Sequence, residues 1–132
     1  MLAIIVFAHG SRDPLWRAPV EAVARAVRAR APGVLVDCAY LELCAPELPE
    51  AAAQAVARGA TEVRVLPLFF GMGKHAREDL PVLMQQLREH HPGVAFRLLT
   101  TAGEQARLTA LLAELALEAP PDAEVAAAEG GA

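Results

Sequence analysis

The sequence has few of the residues that form sulfur-ligated metal sites or read nucleic acid. Among 132 residues there are only two cysteines and four histidines, and 5% of residues are aromatic. Cys38 and Cys44 fit neither a C-x-x-C pair nor a zinc-ligand spacing, so we interpret them as reduced thiols of a cytoplasmic protein. The net charge of −4 argues against a nucleic-acid partner, because nucleic-acid binders are normally basic.

Long apolar runs are also missing. The run at residues 2–8 is far shorter than the roughly 20 residues of a membrane span. Neither a basic segment nor a small-residue cleavage site marks a signal peptide, so no membrane partner is expected. The Walker phosphate loop, the dinucleotide-binding glycine fingerprint and the G-x-S-x-G elbow are absent as well.

What is present is a regular alternation of short apolar runs and helical patterns. Runs rich in β-branched residues predict strands that are buried on both faces. These strands are expected at 2–8, 34–41, 62–69 and 94–99. Apolar residues at helical spacing predict helices at 18–30, 47–58, 80–91 and 104–118. For the third helix, Asp79 is the expected N-cap and Pro81 lies in the tolerant first turn.

This strand and helix order predicts the fold class. Alternating strands and helices with short connections form an α/β domain, here a four-stranded parallel sheet with helices on both faces. We expect this single domain to cover residues 1–118. Residues 119–132 are small and acidic and are expected to form a flexible C-terminal tail.

Candidate functional residues gather at one edge of the predicted sheet. Ligands of an open parallel sheet bind beyond the carboxyl ends of its strands. His9 follows the first strand, Glu42 the second, and His75 lies in the segment after the third. Neutral imidazole binds divalent Fe, Co, Ni and Zn, and it accepts protons near neutral pH. We therefore interpret His9 and His75 as catalytic and metal-binding residues, with Glu42 as a possible third ligand.

The other two histidines and the basic residues have simpler explanations. His90 and His91 end the third predicted helix at the opposite edge, where imidazole complements the helix C-terminus. The basic residues near His9 and His75 form either an ordinary solvated rim or a positive mouth that attracts a polyanion. These residues are Arg12, Arg17, Lys74 and Arg77.

The residues after the strands resemble the short form of the sirohydrochlorin chelatases, the CbiX/SirB-like class II family, over residues 2–118. The resemblance rests on three stretches. They are His9-Gly10-Ser11-Arg12, then Leu41-Glu42 with Pro46 and Pro49, then Leu66 to His75 continued by Arg77 to Pro81. Two positions depart from the family pattern. Relatives often carry a further histidine where this chain has Met72, and some carry a carboxylate where it has Ala45.

The resemblance implies a single-lobe, flavodoxin-like enzyme that inserts Co²⁺, Fe²⁺ or Ni²⁺ into sirohydrochlorin or a related tetrapyrrole, in cobalamin or sirohaem biosynthesis. By that similarity His9 is a metal ligand and proton acceptor, and His75 is the second ligand. The metal ion is a substrate, and neither a prosthetic group nor a nucleotide is implied. The implied substrate-binding residues are Ser11, Arg12, Phe70, Gly71, Met72, Gly73, Lys74 and Arg77.

Longer members of this class have two lobes that face a cleft, so the resemblance also implies a homodimer of this single lobe. Two other functions stay open on the sequence. A histidine phosphatase also places His-Gly after its first strand, although Ala8 stands where that class has arginine. A non-catalytic carrier of metal or tetrapyrrole would use the same residues.

Overall fold

The computed structural model describes residues 1–120 of the chain. These residues form four β-strands that alternate with four α-helices, in the predicted order. The strands are β1 (Leu2–Ala8), β2 (Leu35–Tyr40), β3 (Glu62–Pro67) and β4 (Ala95–Leu98). The helices are α1 (Ala18–Arg30), α2 (Leu48–Ala57), α3 (Lys74–His90) and α4 (Ala106–Leu117). Short 3-10 turns at Pro14–Arg17 and Ala102–Glu104 precede α1 and α4.

The four strands form one parallel sheet of order β2-β1-β3-β4. β1 is central, and its Ala3 lies beside Leu35 of β2 and Val63 of β3. A central parallel strand is covered on both faces, which explains why residues 2–8 are apolar throughout. The predicted four-stranded parallel α/β fold is confirmed.

The helices cover the two faces of the sheet unequally. α2 and α3 pack on one face, over a core cluster that includes Phe7, Val65 and Met84. α1 packs on the other face through Val20 and Ala24. From β1 to β2 the chain moves towards one edge of the sheet, and from β2 to β3 and β4 it moves towards the opposite edge. Right-handed crossovers therefore place α1 opposite α2 and α3.

The third helix begins earlier than the sequence predicted. The prediction was a helix over residues 80–91 capped by Asp79, but α3 starts at Lys74. Pro81 therefore lies inside the helix and lacks the N–H that would bond the carbonyl four residues earlier. Pro81 and Arg77 are both exposed, so the Arg77 carbonyl, which receives no hydrogen bond from Pro81, lies on the solvent side of the helix, where water can bond it. This correction places His75 on a helix, one residue after its start.

The end of α3 agrees with the prediction for the remaining histidines. His90 is its last residue, and the His90 ring Nδ1 lies 2.8 Å from the carbonyl oxygen of Gln86. His91 is the C-cap, and its ring packs beside that of Phe96 with the centroids 5.8 Å apart. Both histidines therefore belong to a helix end at the amino edge of the sheet.

Two further expectations concern the C-terminus and membranes. The predicted tail at 119–132 lies, apart from residues 119 and 120, outside the described residues. The domain boundary at residue 118 stays a prediction. Within residues 1–120, no helix has both the length and the apolar character needed to cross a bilayer.

Candidate functional site

His9 lies directly after β1, and its ring packs against a buried phenylalanine. The ring centroids of His9 and Phe69 are 4.4 Å apart, with the planes tilted by 43°. His9 itself is exposed, whereas Phe69 is buried and also contacts Phe7 edge-on. Phe69 therefore contacts one face of the imidazole, and the remaining ring surface is open to a ligand.

The backbone around Phe69 is held by the segment that follows β4. Thr101 is only 3% exposed, and its hydroxyl lies 3.3 Å from the carbonyl oxygen of Pro67 and 3.4 Å from that of Phe69. The amide of Gly103 donates to the same Phe69 carbonyl at 2.9 Å. A Cβ at Gly103 would lie 1.5 Å from the carbonyl oxygen of Phe70, so only glycine fits there. The last connection of the fold thus positions the ring that supports His9.

His75 lines a cavity that Phe69 also lines. It is the second residue of α3, it is exposed, and the cavity has a volume of about 350 Å³. Phe7, Leu41 and Phe69 form apolar walls of the same cavity. Both predicted catalytic histidines are therefore linked to Phe69, since the His9 ring packs against it and His75 lines the same cavity as Phe69.

Glu42 is tied to His9 through the backbone. The Glu42 amide donates to the His9 carbonyl at 3.0 Å. Gly10 has φ of +103°, and a Cβ there would lie 1.8 Å from the Glu42 carbonyl oxygen, so the glycine permits this close approach. Across residues 1–120, no group of three or more His, Cys, Asp or Glu side chains comes together as a metal site. Glu42 as a third ligand stays a prediction.

Three predicted basic residues of the rim are free to bind anions. Arg12, Lys74 and Arg77 are exposed, and within the described part of the chain none of them forms an ion pair. Lys74 and Arg77 stand in the first turn of α3, whose N-terminus adds partial positive charge. Arg17 is different, because it lines a second cavity between α1 and β2 rather than the rim.

Ser11 and the predicted loop 70–73 contribute in different ways. The Ser11 hydroxyl accepts a hydrogen bond from the Asp13 amide at 3.1 Å, so it shapes its own loop. Phe70 is 73% exposed, whereas Met72 is half-buried and packs against the larger core. A Cβ at Gly71 or Gly73 would meet nothing within 4 Å. The fold of this chain therefore does not itself require glycine at those two positions.

Sequence reasoning missed an apolar surface around the histidines. Large apolar side chains follow β1, β2 and β3 and point to solvent at the carboxyl edge. They are Leu15, Trp16, Leu41 and Leu43, in addition to the exposed Phe70 that the sequence had already assigned to the substrate. The signal was available, since each residue lies in a segment directly after a strand. Leu43 also has φ of +68°, a left-handed conformation that a branched residue rarely adopts.

The two cysteines pack on the face of the sheet that α1 covers. Both are free and half-buried. The Cys38 thiol lies 3.9 Å from the carbonyl oxygen of Val20, and burial raises its pKa. Burial also raises the pKa of the nearby Tyr40 hydroxyl to about 12. A thiol whose pKa is raised by burial is a poor nucleophile, so Cys38 gives no reason to place chemistry on this side of the sheet.

Comparisons with known proteins match this fold. The family model of CbiX matches residues 3–119. A sirohydrochlorin cobaltochelatase of Methanopyrus kandleri is 33% identical over 84 residues, 64% of this chain and 59% of that protein. One of Sulfolobus acidocaldarius is 30% identical over 119 residues, 90% of this chain and 93% of that protein. The crystal structure of a cobalamin-biosynthesis CbiX protein from Marinobacter aquaeolei VT8 has a TM-score of 0.75 at 31% identity, covering 88% of this chain and 94% of that one.

The parallel sheet and the histidines at its carboxyl edge define a chelatase-like α/β protein. The chain belongs to the CbiX family, since the family model covers nearly all of its described residues. The resemblance inferred from the sequence is thereby confirmed. The alignment spans only 59% and 64% of the length of two of the curated relatives, those of Methanopyrus kandleri and Methanocaldococcus jannaschii.

Proposed function

We propose that this chain is a chelatase that inserts a divalent metal ion, with Co²⁺ favoured over Fe²⁺ or Ni²⁺, into sirohydrochlorin or a related tetrapyrrole. The pathway would be cobalamin or sirohaem biosynthesis. The observation that carries the proposal is the link of both histidines to Phe69: the His9 ring packs against the Phe69 ring, and His75 lines the cavity that Phe69 also lines. The sirohydrochlorin cobaltochelatases among the relatives support this choice of substrate and metal.

Metal insertion requires two pyrrole N–H protons to leave and a partly desolvated ion to arrive. His9 binds the ion through its one free ring nitrogen, and once the ion has passed to the macrocycle that nitrogen accepts one of the two protons, because neutral imidazole can do either near neutral pH. The other proton leaves to solvent. His75 is the second metal ligand, and Glu42 is the third. Two or three protein ligands leave coordination positions open, which the macrocycle nitrogens then occupy. The metal is a substrate, and no prosthetic group takes part.

The surface around the histidines suits a flat macrocycle with carboxylate side chains. Phe70 and Leu43 offer exposed apolar contacts for the ring. Arg12, Lys74 and Arg77 offer cations for the carboxylates. The proposed binding surface is therefore locally basic although the protein as a whole is acidic. Ser11 and the backbone at Gly71 and Gly73 complete the substrate contacts, with Met72 supporting the loop from the core side.

The enzyme acts as a homodimer, in which two single lobes face each other across the macrocycle. We place it in the cytoplasm, because its two unpaired cysteines suit a reducing compartment. Its partners are the tetrapyrrole, the metal ion and a second copy of the chain, without nucleic acid or membrane.

The test follows the visible absorbance of sirohydrochlorin with Co²⁺, with and without protein. We expect His9→Ala or His75→Ala to reduce the rate above the spontaneous background by at least about 100-fold, the general scale for losing an acid–base group. His90→Ala is the matched control, because this exposed histidine lies at the opposite edge of the sheet. Circular dichroism checks that each variant is folded.

Three outcomes would count against the proposal. If both histidine variants kept the parent rate, the site assignment would be wrong. If the parent bound sirohydrochlorin and Co²⁺ without any acceleration, the chain would be a carrier. If it hydrolysed a generic phosphate ester through a phosphohistidine at His9, it would be a phosphatase. Competition kinetics with Co²⁺, Fe²⁺ and Ni²⁺ then decide which metal is preferred.

A further inference from the structure

A second cavity lies beside β2, an edge strand of the sheet, between α1 and Gln54 of α2. Its volume is about 490 Å³, larger than the 350 Å³ of the cavity that His75 lines, and the two cavities share no lining residue. Small-molecule sites fall in this range of volumes. The proposed metal insertion uses none of the residues of this second cavity, which are unusually rich in arginine.

Three arginines reach the second cavity from one side of α1. Arg17 directly precedes the helix, and Arg25 and Arg28 lie within it. Together with Glu21 they are spaced three or four residues apart, so all four share one face of the helix. At 1.5 Å per residue, this row of charged side chains runs along roughly 16 Å of the helix.

The charges around the second cavity do not cancel. Asp37 of β2 also lines it, but the Asp37 carboxylate lies 3.7 Å from the guanidinium of Arg58. Within residues 1–120, the three arginines of the cavity form no ion pair, and neither does Glu21. Three guanidinium groups therefore face the one carboxylate that has no other cation, which leaves an excess of three minus one, or two, positive charges.

Arg17 is held in place by the fold but is not neutralised by it. Its Nε is buried, and no atom of residues 1–120 accepts a hydrogen bond from it. A buried guanidinium N–H normally has an acceptor, and a guanidinium charge is rarely buried without a partner. Arg28 differs, because its Nη2 donates to the Val36 carbonyl of β2 at 2.6 Å. The described residues therefore give Arg28 a structural role but give Arg17 none.

Neutral hydrogen-bond donors stand beside the arginines. Tyr40, which is 3% exposed, and Gln54 line the same cavity. Burial raises the pKa of Tyr40 to about 12, so its hydroxyl keeps its proton and can donate at neutral pH. Guanidinium groups bond the oxygens of a phosphate in a planar, bidentate fashion, and hydroxyl and amide donors complete such sites.

We propose that the second cavity binds a small organic molecule that carries a phosphate group, with the arginines of α1 bonding the phosphate oxygens. The excess of two positive charges matches a phosphate group, which carries about −1.5 to −2 at neutral pH. A row of side chains roughly 16 Å long also has room for more than the phosphate itself. The site is separate from the proposed metal insertion, since none of its residues lines the cavity of His75.

The first test titrates the full chain with ribose 5-phosphate, inorganic phosphate and neutral ribose by calorimetry. We expect ribose 5-phosphate to bind more tightly than either of the other two. Arg17→Gln should weaken its binding by about 10-fold or more, the scale of one hydrogen bond to a charged group. The exposed Arg25→Gln, which cannot disturb the core, should weaken it by about 3-fold. Arg30→Gln is the matched control, since it lies on the same helix outside the cavity and should change nothing.

The second test locates the ligand by the NMR signals of the glutamine side-chain amides. The chain has four glutamines and no asparagine, so the spectrum holds only four such amide groups. Gln54 lines the second cavity, whereas Gln86 lines the cavity of His75. We expect ribose 5-phosphate to shift the Gln54 signals and to leave those of Gln86 unchanged.

Several results would overturn the proposal. These are the absence of binding at millimolar ribose 5-phosphate, or an affinity that neither Arg17→Gln nor Arg25→Gln changes. A shift of Gln86 in place of Gln54 would move the phosphate to the histidine site. Inorganic phosphate that bound as tightly as the ester would contradict the organic part of the ligand. None of these readouts uses metal insertion, so their failure is distinguishable from the failure of the proposed activity.

Discussion

Gly103→Ala tests whether the segment after β4 positions the histidine site. A Cβ added at Gly103 would lie 1.5 Å from the Phe70 carbonyl oxygen and 2.5 Å from the Phe70 Cα. These neighbours are backbone atoms, so no side-chain rotation relieves the overlap. The gap to the oxygen must widen from 1.5 Å to at least 3.0 Å. That movement displaces the backbone that carries Phe69, and with it the ring that supports His9.

The expected effect is large on activity and moderate on stability. Losing the Gly103–Phe69 hydrogen bond costs about 1 kcal/mol, and the steric overlap adds about 1–3 kcal/mol. A domain with a free energy of unfolding of about 5–15 kcal/mol tolerates that sum and stays mostly folded. A misplacement of about 1 Å at a catalytic group can lower the rate by roughly 100-fold. We therefore expect kcat/KM for metal insertion to fall by about that factor.

The assay compares urea unfolding with the sirohydrochlorin absorbance rate for the same preparations. Gly93→Ala is the control, because a Cβ there meets nothing within 4 Å and the residue lies beyond the opposite edge of the sheet. Its rate should equal that of the parent. If Gly103→Ala kept both the parent stability and the parent rate, the positioning role of this segment would be refuted. A loss of stability without a loss of rate in the folded fraction would reduce Gly103 to a packing residue.

Two further predictions concern the backbone and the buried hydroxyl. Leu43→Gly should leave the free energy of unfolding unchanged or raise it by up to about 1 kcal/mol, because the left-handed conformation disfavours a branched residue. The same change should lower kcat/KM, since an exposed apolar contact is lost; a faster enzyme would contradict this. Tyr40 is the only tyrosine, and burial raises its pKa from the ordinary tyrosine value of 10.0 to about 12. The folded protein should therefore lose stability as the pH rises through that interval, and Tyr40→Phe should remove this slope. A tyrosinate absorbance midpoint near 10.0 in the folded protein would refute it.

Much of the fold could be predicted from the sequence, because its strands are buried on both faces. The run at residues 2–8 is apolar at every position, which only a covered central strand requires. Once the strands alternate with helices, parallel topology brings His9 and His75 to one edge without any knowledge of contacts. The same topology separates them from His90 and His91 at the other edge.

The start of α3 could not be predicted, because local signals compete there. Asp79 followed by Pro81 is typical of a helix start. The actual N-cap is Gly73, which has no side chain to signal a cap. The helix begins at Lys74 because the preceding loop and the packing of Leu80 and Met84 on the sheet decide its position.

The support of His9 depends on contacts that no local pattern encodes. Thr101 and Phe69 are 32 residues apart and meet only because β4 pairs with β3. The helical spacing of Leu108, Leu111, Leu112 and Leu115 likewise identified an apolar face of α4 but not what covers it. A pattern of leucines indicates that a helix needs a packing partner, and only the folded structure shows that residues 1–120 leave every residue of α4 unburied.

The anchoring of Phe69 by Thr101 has a consequence for when the proposed site is completed during folding. A chain that has paired β1 with β2 and β3 already carries both histidines at the carboxyl edge. It still lacks the hydroxyl and the amide that hold the Phe69 backbone, because both come from the segment after β4. The proposed site is therefore complete only when the last strand has formed, and not when the core has collapsed. Under mild denaturation β4, a short edge strand, is among the first elements to open, so such chains would retain most of their secondary structure and yet be inactive.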